Sequence, residues 1–146
     1  MKLLTNNAFT VVELMLTIAI MGIISTFTFS FYTRFLTQNA LSNTVDQMAG
    51  SLRKAQTYSM AGKQESNWGV NYSSNKITLF KGTSIGQDPA FNEVYDTSPN
   101  IAISGFTEIY FNRVTGLPST IAAITITGNS ETKTITINEQ GVVNKQ

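Results

Sequence analysis

Cysteine and histidine are both absent from this chain. It can work in an oxidising compartment without disulfides, and the lack of cysteine fixes no location. Without histidine, the commonest neutral-pH base and metal ligand is missing. Charge is scarce too. Ten Lys plus Arg stand against nine Asp plus Glu, 13% of 146 residues, roughly half the 25% or so of an ordinary globular chain. Neither sign dominates, so the totals give a polyanion-binding surface no support. The carboxylates Asp88, Glu93, Asp96 and Glu108 lie in or beside a polar stretch with no base or nucleophile near them. They are expected to be solvated. Oxygen side chains show no regular calcium-ligand spacing. The expectation is therefore no enzyme, no metal and no cofactor.

The charge deficit has a local cause. Residues 14–33 carry no charge at all, and as a helix those residues span about 30 Å, the thickness of a bilayer's hydrocarbon core. The length of the whole chain suits one compact domain better than two. Residues 1–8 are polar apart from Leu3 and Leu4, and Lys2 adds positive charge before an abrupt apolar run from Phe9. The positive end is expected to stay cytoplasmic while the rest crosses. A cleavable secretory signal is the competing reading, but its apolar core is shorter and ends at a small-residue site that this run lacks.

Glu13 interrupts the run. A carboxylate at a bilayer's centre costs roughly a few kcal/mol, and less near the interface. A positive amine is the obvious partner, and none stands nearby within the run. Cleavage after Ala8 would free the amine of Phe9, offered either by a neighbouring subunit or by the same chain four residues away. Desolvation offsets much of such a pair's attraction, so its value lies in register and recruitment. The alternative is a Glu13 that snorkels to the interface.

The run Ala-Phe-Thr-Val-Val-Glu-Leu at residues 8–14, followed by the apolar residues 15–22, closely resembles the prepilin N-terminus of type IV pilins and type II secretion pseudopilins. The resemblance implies cleavage between Ala8 and Phe9 by a prepilin peptidase, N-methylation of Phe9, and an assembly role for Glu13. The family normally carries Gly before the cut; Ala8 stands there instead and is also small. Helix packing in a filament would fall to Leu14, Leu16, Ile18, Ile20, Gly22 and Ile23. The implied partners are other pilin or pseudopilin subunits, the peptidase/methyltransferase, an inner-membrane assembly platform and membrane lipid. No nucleotide-binding motif is present, so extraction would be powered by other proteins. The implied location is the inner membrane, single-pass with the C-terminal domain periplasmic, and a periplasmic or extracellular filament after assembly. No proline falls between residues 9 and 54. Many major type IV pilins have one in this helix, so its lack points to a minor pilin or pseudopilin.

Four segments follow: a leader at 1–8, a transmembrane and assembly part at 9–33, an amphipathic continuation at 34–62 and a β-rich domain at 63–146. Leu41, Val45, Met48, Leu52 and Ala55 form one apolar stripe at helical spacing, with Gln38, Asn39, Ser42, Asn43, Asp46, Gln47, Arg53 and Lys54 outside it. Gly62 is a sensible stop. Thr17, Thr26 and Thr28 can bond to preceding carbonyls. Beyond Gly62, Trp68, Val70 and Tyr72 alternate, Ser74-Asn75 can turn, and Ile77, Leu79 and Phe80 complete a hairpin. Residues 82–100 read as a polar loop. Strands are expected around Ile101 and Ile103, around Ile109 and Phe111, over 121–127 and 133–137, and at Val142-Val143. Trp68, Tyr72 and Tyr110 are either core or a recognition patch, with core favoured.

The fold expected is α+β and pilin-like, a long N-terminal helix packed on a small antiparallel β domain. Phe-Asn-Arg-Val-Thr-Gly-Leu-Pro at 111–118 and the closing strands over 124–143 resemble the GspH/FimT-like branch of minor pilins and pseudopilins. Some members of that branch take part in DNA uptake through arginines near the C-terminus. Here Arg113 is the last arginine and only Lys145 lies near the end, so no nucleic-acid partner is expected. The competing function is a membrane-anchored ectodomain acting alone in binding or adhesion.

Overall fold

In the computed structural model of the chain, residues 9–129 and 131–146 are described, with 27–30 described by their backbone alone. The leader at 1–8, including Ala8, lies outside the described residues. One long helix, α1, runs Val11–Met60 among the described residues. The chain divides into two compact units, the first ending at Phe35 and the second spanning Leu36–Gln146. Each is described by itself.

The first unit is the N-terminal part of α1. The apolar side chains described in it, from Val11 to Phe35, are all exposed, because among the described residues no other element of the unit covers them. Hydroxyls there turn inward on the backbone. Thr17 Oγ1 donates to the carbonyls of Glu13 and Leu14, and Thr26 Oγ1 to that of Ile23, as expected for threonines on an apolar helix. The side chain of Thr28 lies outside those described. The helix is long and apolar enough to cross a membrane.

The second unit is α+β: the rest of α1 with a small antiparallel β domain. Leu41, Val45, Met48, Leu52 and Ala55 are all buried, which is the stripe expected from their spacing. The buried face is wider than the stripe and takes in Thr44, Ala49, Ser51 and Ser59. Gly62 stops the helix at φ 61° in the left-handed region, where a side chain would be strained.

Among the described residues eight strands follow: β1 (Trp68–Ser73), β2 (Lys76–Lys81), β3 (Glu93–Asp96), β4 (Ile101–Ser104), β5 (Glu108–Phe111), β6 (Ala122–Gly128), β7 (Glu131–Ile137) and β8 (Val143–Lys145). They form two four-stranded sheets, ordered β3-β2-β1-β5 and β4-β6-β7-β8. All pairings are antiparallel. Ser74 and Asn75 join β1 to β2 with φ of 51° and 59°, the two positive values that a tight two-residue hairpin turn requires. Val70, Ile77, Leu79, Ile109 and Phe111 from the first sheet and Ile124, Ile126, Ile135 and Ile137 from the second join the α1 stripe in one core.

One expectation changes. Residues 82–100 are not one loop, because they hold β3 and a short 3-10 turn at Pro89–Phe91. The strands β4 and β5, whose order the sequence left open, belong to different sheets although only residues 105–107 separate them.

Candidate functional site

Helix α1 begins at Val11, and Thr10 stands just before it. The first backbone N–H groups of any helix lack carbonyl partners. Here Thr10 Oγ1 accepts the N–H of Glu13 at 3.2 Å, and Glu13 Oε2 accepts the N–H of Thr10 at 3.2 Å and its hydroxyl at 3.4 Å. The N–H of Leu14 closes the first turn on the Thr10 carbonyl at 3.1 Å. This reciprocal arrangement is a capping box. It also sets a carboxylate at the positive end of the helix dipole.

Glu13 therefore has a partner in its own chain, three residues back, and the partner is a set of hydrogen-bond donors rather than an amine. The pattern Thr10-Val11-Val12-Glu13 that signals it was present in the sequence. Both of its ends lie inside an apolar run, where hydrophobicity masks it. Phe9 precedes the helix and is 83% exposed. Phe9 thus stands outside the helix, one residue before the Thr10 cap.

The six other residues singled out on this segment share one condition. Leu14, Leu16, Ile18, Ile20 and Ile23 are exposed, and a Cβ added at Gly22 would meet nothing within 4 Å. Around its whole circumference this part of the helix thus offers apolar side chains, with a gap at Gly22 and a carboxylate near its start. Such a surface suits lipid or other helices.

The β domain engages its charges in pairs. Lys54 bonds Glu93, whose other contact is the Tyr95 hydroxyl at 2.9 Å. Hydrogen bonding from Lys54 holds the Glu93 carboxyl below the usual carboxylate range, and the same bond raises Lys54. Lys81 pairs with Asp88 at 2.9 Å and Lys76 with Asp96 at 3.7 Å. Glu108 accepts the N–H of Ile85 at 3.1 Å. The four carboxylates expected to be merely solvated thus each have a partner.

The aromatic residues do not gather into a patch. Trp68 is 1% exposed and donates its indole N–H to the Lys63 carbonyl at 2.9 Å. Tyr58 packs on it edge-on. Tyr110 pairs with Gly69, so it points to the face of the sheet opposite Trp68 and Tyr72. Lys145 donates to Asp46 at 2.7 Å and lowers the acid's pKa through that bond. These two residues, with Glu131 and Lys133, line an open cleft of about 460 Å³. Its mixed signs favour no ligand of one charge. Among known proteins, no family model, no curated protein and no solved structure matches this chain.

Proposed function

We propose that this chain is a structural subunit, of the minor kind, of a type II secretion pseudopilus or type IV pilus. The reading rests on one observation. From Val11 to Phe35, a helix long and apolar enough to cross a membrane exposes every large apolar side chain described there, and Glu13, in the first turn, is the one carboxylate in that stretch. Before assembly the helix waits in the inner membrane with the β domain on the periplasmic side. A prepilin peptidase removes residues 1–8 at Ala8 and methylates Phe9. Helices then exchange lipid for each other, with Leu14, Leu16, Ile18, Ile20 and Ile23 packing around the gap at Gly22. Each backbone keeps its internal hydrogen bonds throughout. Glu13 recruits the incoming subunit through the new amine of Phe9.

Intact-mass measurement after co-expression with the native processing enzyme tests the first half. Loss of residues 1–8 and gain of one methyl group is expected. A retained leader would count against the reading.

The capping box favours a second reading, in which Glu13 only caps the helix of a membrane-anchored ectodomain that acts alone. Two substitutions separate them. Glu13→Gln keeps a residue that can complete a capping box but removes the charge. Thr10→Ala breaks the box and keeps the charge. If the carboxylate recruits an amine, Glu13→Gln abolishes incorporation into filaments while Thr10→Ala only reduces it. Normal filament incorporation of Glu13→Gln would leave the cap as the residue's whole role.

A further inference from the structure

Four strands end the two sheets: β3 and β5 in one, β4 and β8 in the other. An open edge is a row of unpaired backbone groups that invites another strand, and proteins usually blunt it with charge, proline or a covering segment. Three of these edges are blunted. On β5, the N–H of Ser119 donates to the Tyr110 carbonyl at 2.7 Å, the Ser119 hydroxyl accepts the Tyr110 N–H, and Phe111 bridges Pro118. On β3, Glu93 and Asp96 stand at the two ends. On β8, Lys145 ends the strand and the Arg53 guanidinium donates to the Val143 carbonyl at 2.8 Å.

The fourth edge, β4, has none of these. Its residues are Ile101, Ala102, Ile103 and Ser104, flanked by Asn100 and Gly105, and none is charged or proline. Among the described residues, no hydrogen bond outside the sheet ladder engages the backbone of Ala102, Ile103 or Ser104. Ala102 and Ser104 are exposed.

We propose that β4 docks on β4 of a second copy, antiparallel, so that two four-stranded sheets become one continuous sheet. The choice of occupant follows from charge. In a two-fold contact the residues near the axis meet their own copies, and like charges placed opposite each other destabilise a strand pair. With the axis at or next to Glu93, Asp96 or Lys145, that charge would lie opposite or diagonally beside its own copy, which disfavours self-pairing of β3 and β8. At β4 small neutral residues meet. The neighbouring positions on the same sheet face are Thr125, Thr127, Thr132, Thr134 and Thr136, paired across β6 and β7, so they bring no charge to the seam either. Opposed side chains must lie on one face, which restricts the axis to a residue position: Ala102, Ile103 or Ser104. Four residues form a short seam, weak between free molecules. Confinement in one bilayer raises the effective concentration of the two edges. The contact involves only the β domain, so it stands or falls separately from the role of Glu13.

The absence of cysteine makes the test clean. Full-length protein carrying one of Ala102→Cys, Ile103→Cys or Ser104→Cys is reconstituted in lipid vesicles and mildly oxidised. Thr132→Cys on β7 and Asp96→Cys on β3 report random collision. Opposed strand residues lie within disulfide reach, so at least one β4 position should form covalent dimer about tenfold faster than both controls. A lysine added at the other exposed position, Ala102→Lys or Ser104→Lys, should return that rate to the control level, with circular dichroism confirming the fold. Three β4 cysteines no faster than the controls, or a lysine variant that cross-links unchanged, would overturn the proposal. So would a cellular adduct whose mass is not twice that of the chain, which would assign the edge to a foreign strand.

Discussion

Val114 sits at φ 70°, a region where a β-branched residue is a genuine outlier. Packing does not explain it, since the side chain is 67% exposed. The backbone does. Its N–H donates to the Ser59 carbonyl at 2.9 Å, the N–H of Arg113 donates to Asn67 Oδ1 at 2.7 Å, and the Arg113 guanidinium donates to the Glu65 carbonyl at 3.0 Å. The segment around Val114 is pinned to its neighbours, and the strain is tolerated. Val114→Asn, which accepts this conformation more readily, should stabilise the protein by about 1 kcal/mol, read as a higher urea midpoint. Gly69 is the opposite case. A Cβ there would lie 2.5 Å from the Phe80 ring and 2.6 Å from the Ile109 carbonyl oxygen. The oxygen belongs to the paired backbone of β5 and cannot swing aside. Gly69→Ala should cost about 1–3 kcal/mol or more, by the same measurement.

At the scale of elements, the end of α1 is tied to the start of β1 by one hydroxyl. Ser59 is fully buried, and its Oγ accepts the N–H of Trp68 at 2.9 Å. Ser59→Ala would leave that N–H buried and unpaired, at a cost of about 1–3 kcal/mol. A lower melting temperature with the near-UV signal of Trp68 retained is the expected result. Local pattern made most elements legible. The α1 stripe repeats at helical spacing, the β1–β2 hairpin alternates about a two-residue turn, and the isoleucines of β6 and β7 alternate with threonine. β3 was not legible because Glu93 and Asp96 read as loop; on an edge strand both find lysine partners instead. The split of β4 and β5 between sheets was hidden for another reason. Pairing partners of distant sequence position decide it, and no local window contains them. At the candidate site the carboxylate of Glu13 stood out at once as a charge in an apolar run. Its partner Thr10 did not, because a threonine is nearly neutral in hydropathy and leaves no mark on an apolar run.

At the scale of the β domain, the pair of Lys54 on α1 with Glu93 on β3 joins the helix to a sheet edge. The Glu93 carboxyl titrates below its ordinary value, so the pair's contribution is full above the unfolded carboxylate pKa of about 4.3 and fades as pH falls through the folded value. Lys54 is raised, so at the other end the contribution persists up to about pH 10.4 and fades as pH rises through the folded lysine value. Side chains about a third exposed are partly screened. Glu93→Gln should therefore lower stability by only about 0.5–1 kcal/mol at pH 7, and the difference from the unaltered protein should vanish in urea titrations at strongly acidic pH.

The start of α1 at Val11 bears on timing. Proteases cut where backbone is exposed and irregular, and a helix that ran back through Phe9 would bury the Ala8–Phe9 bond in regular hydrogen bonding. The Thr10–Glu13 box halts the helix before Phe9. The residue proposed to recruit the next subunit thus also keeps Phe9 out of the helix, and under the proposed function maturation and polymerisation would both answer to one carboxylate.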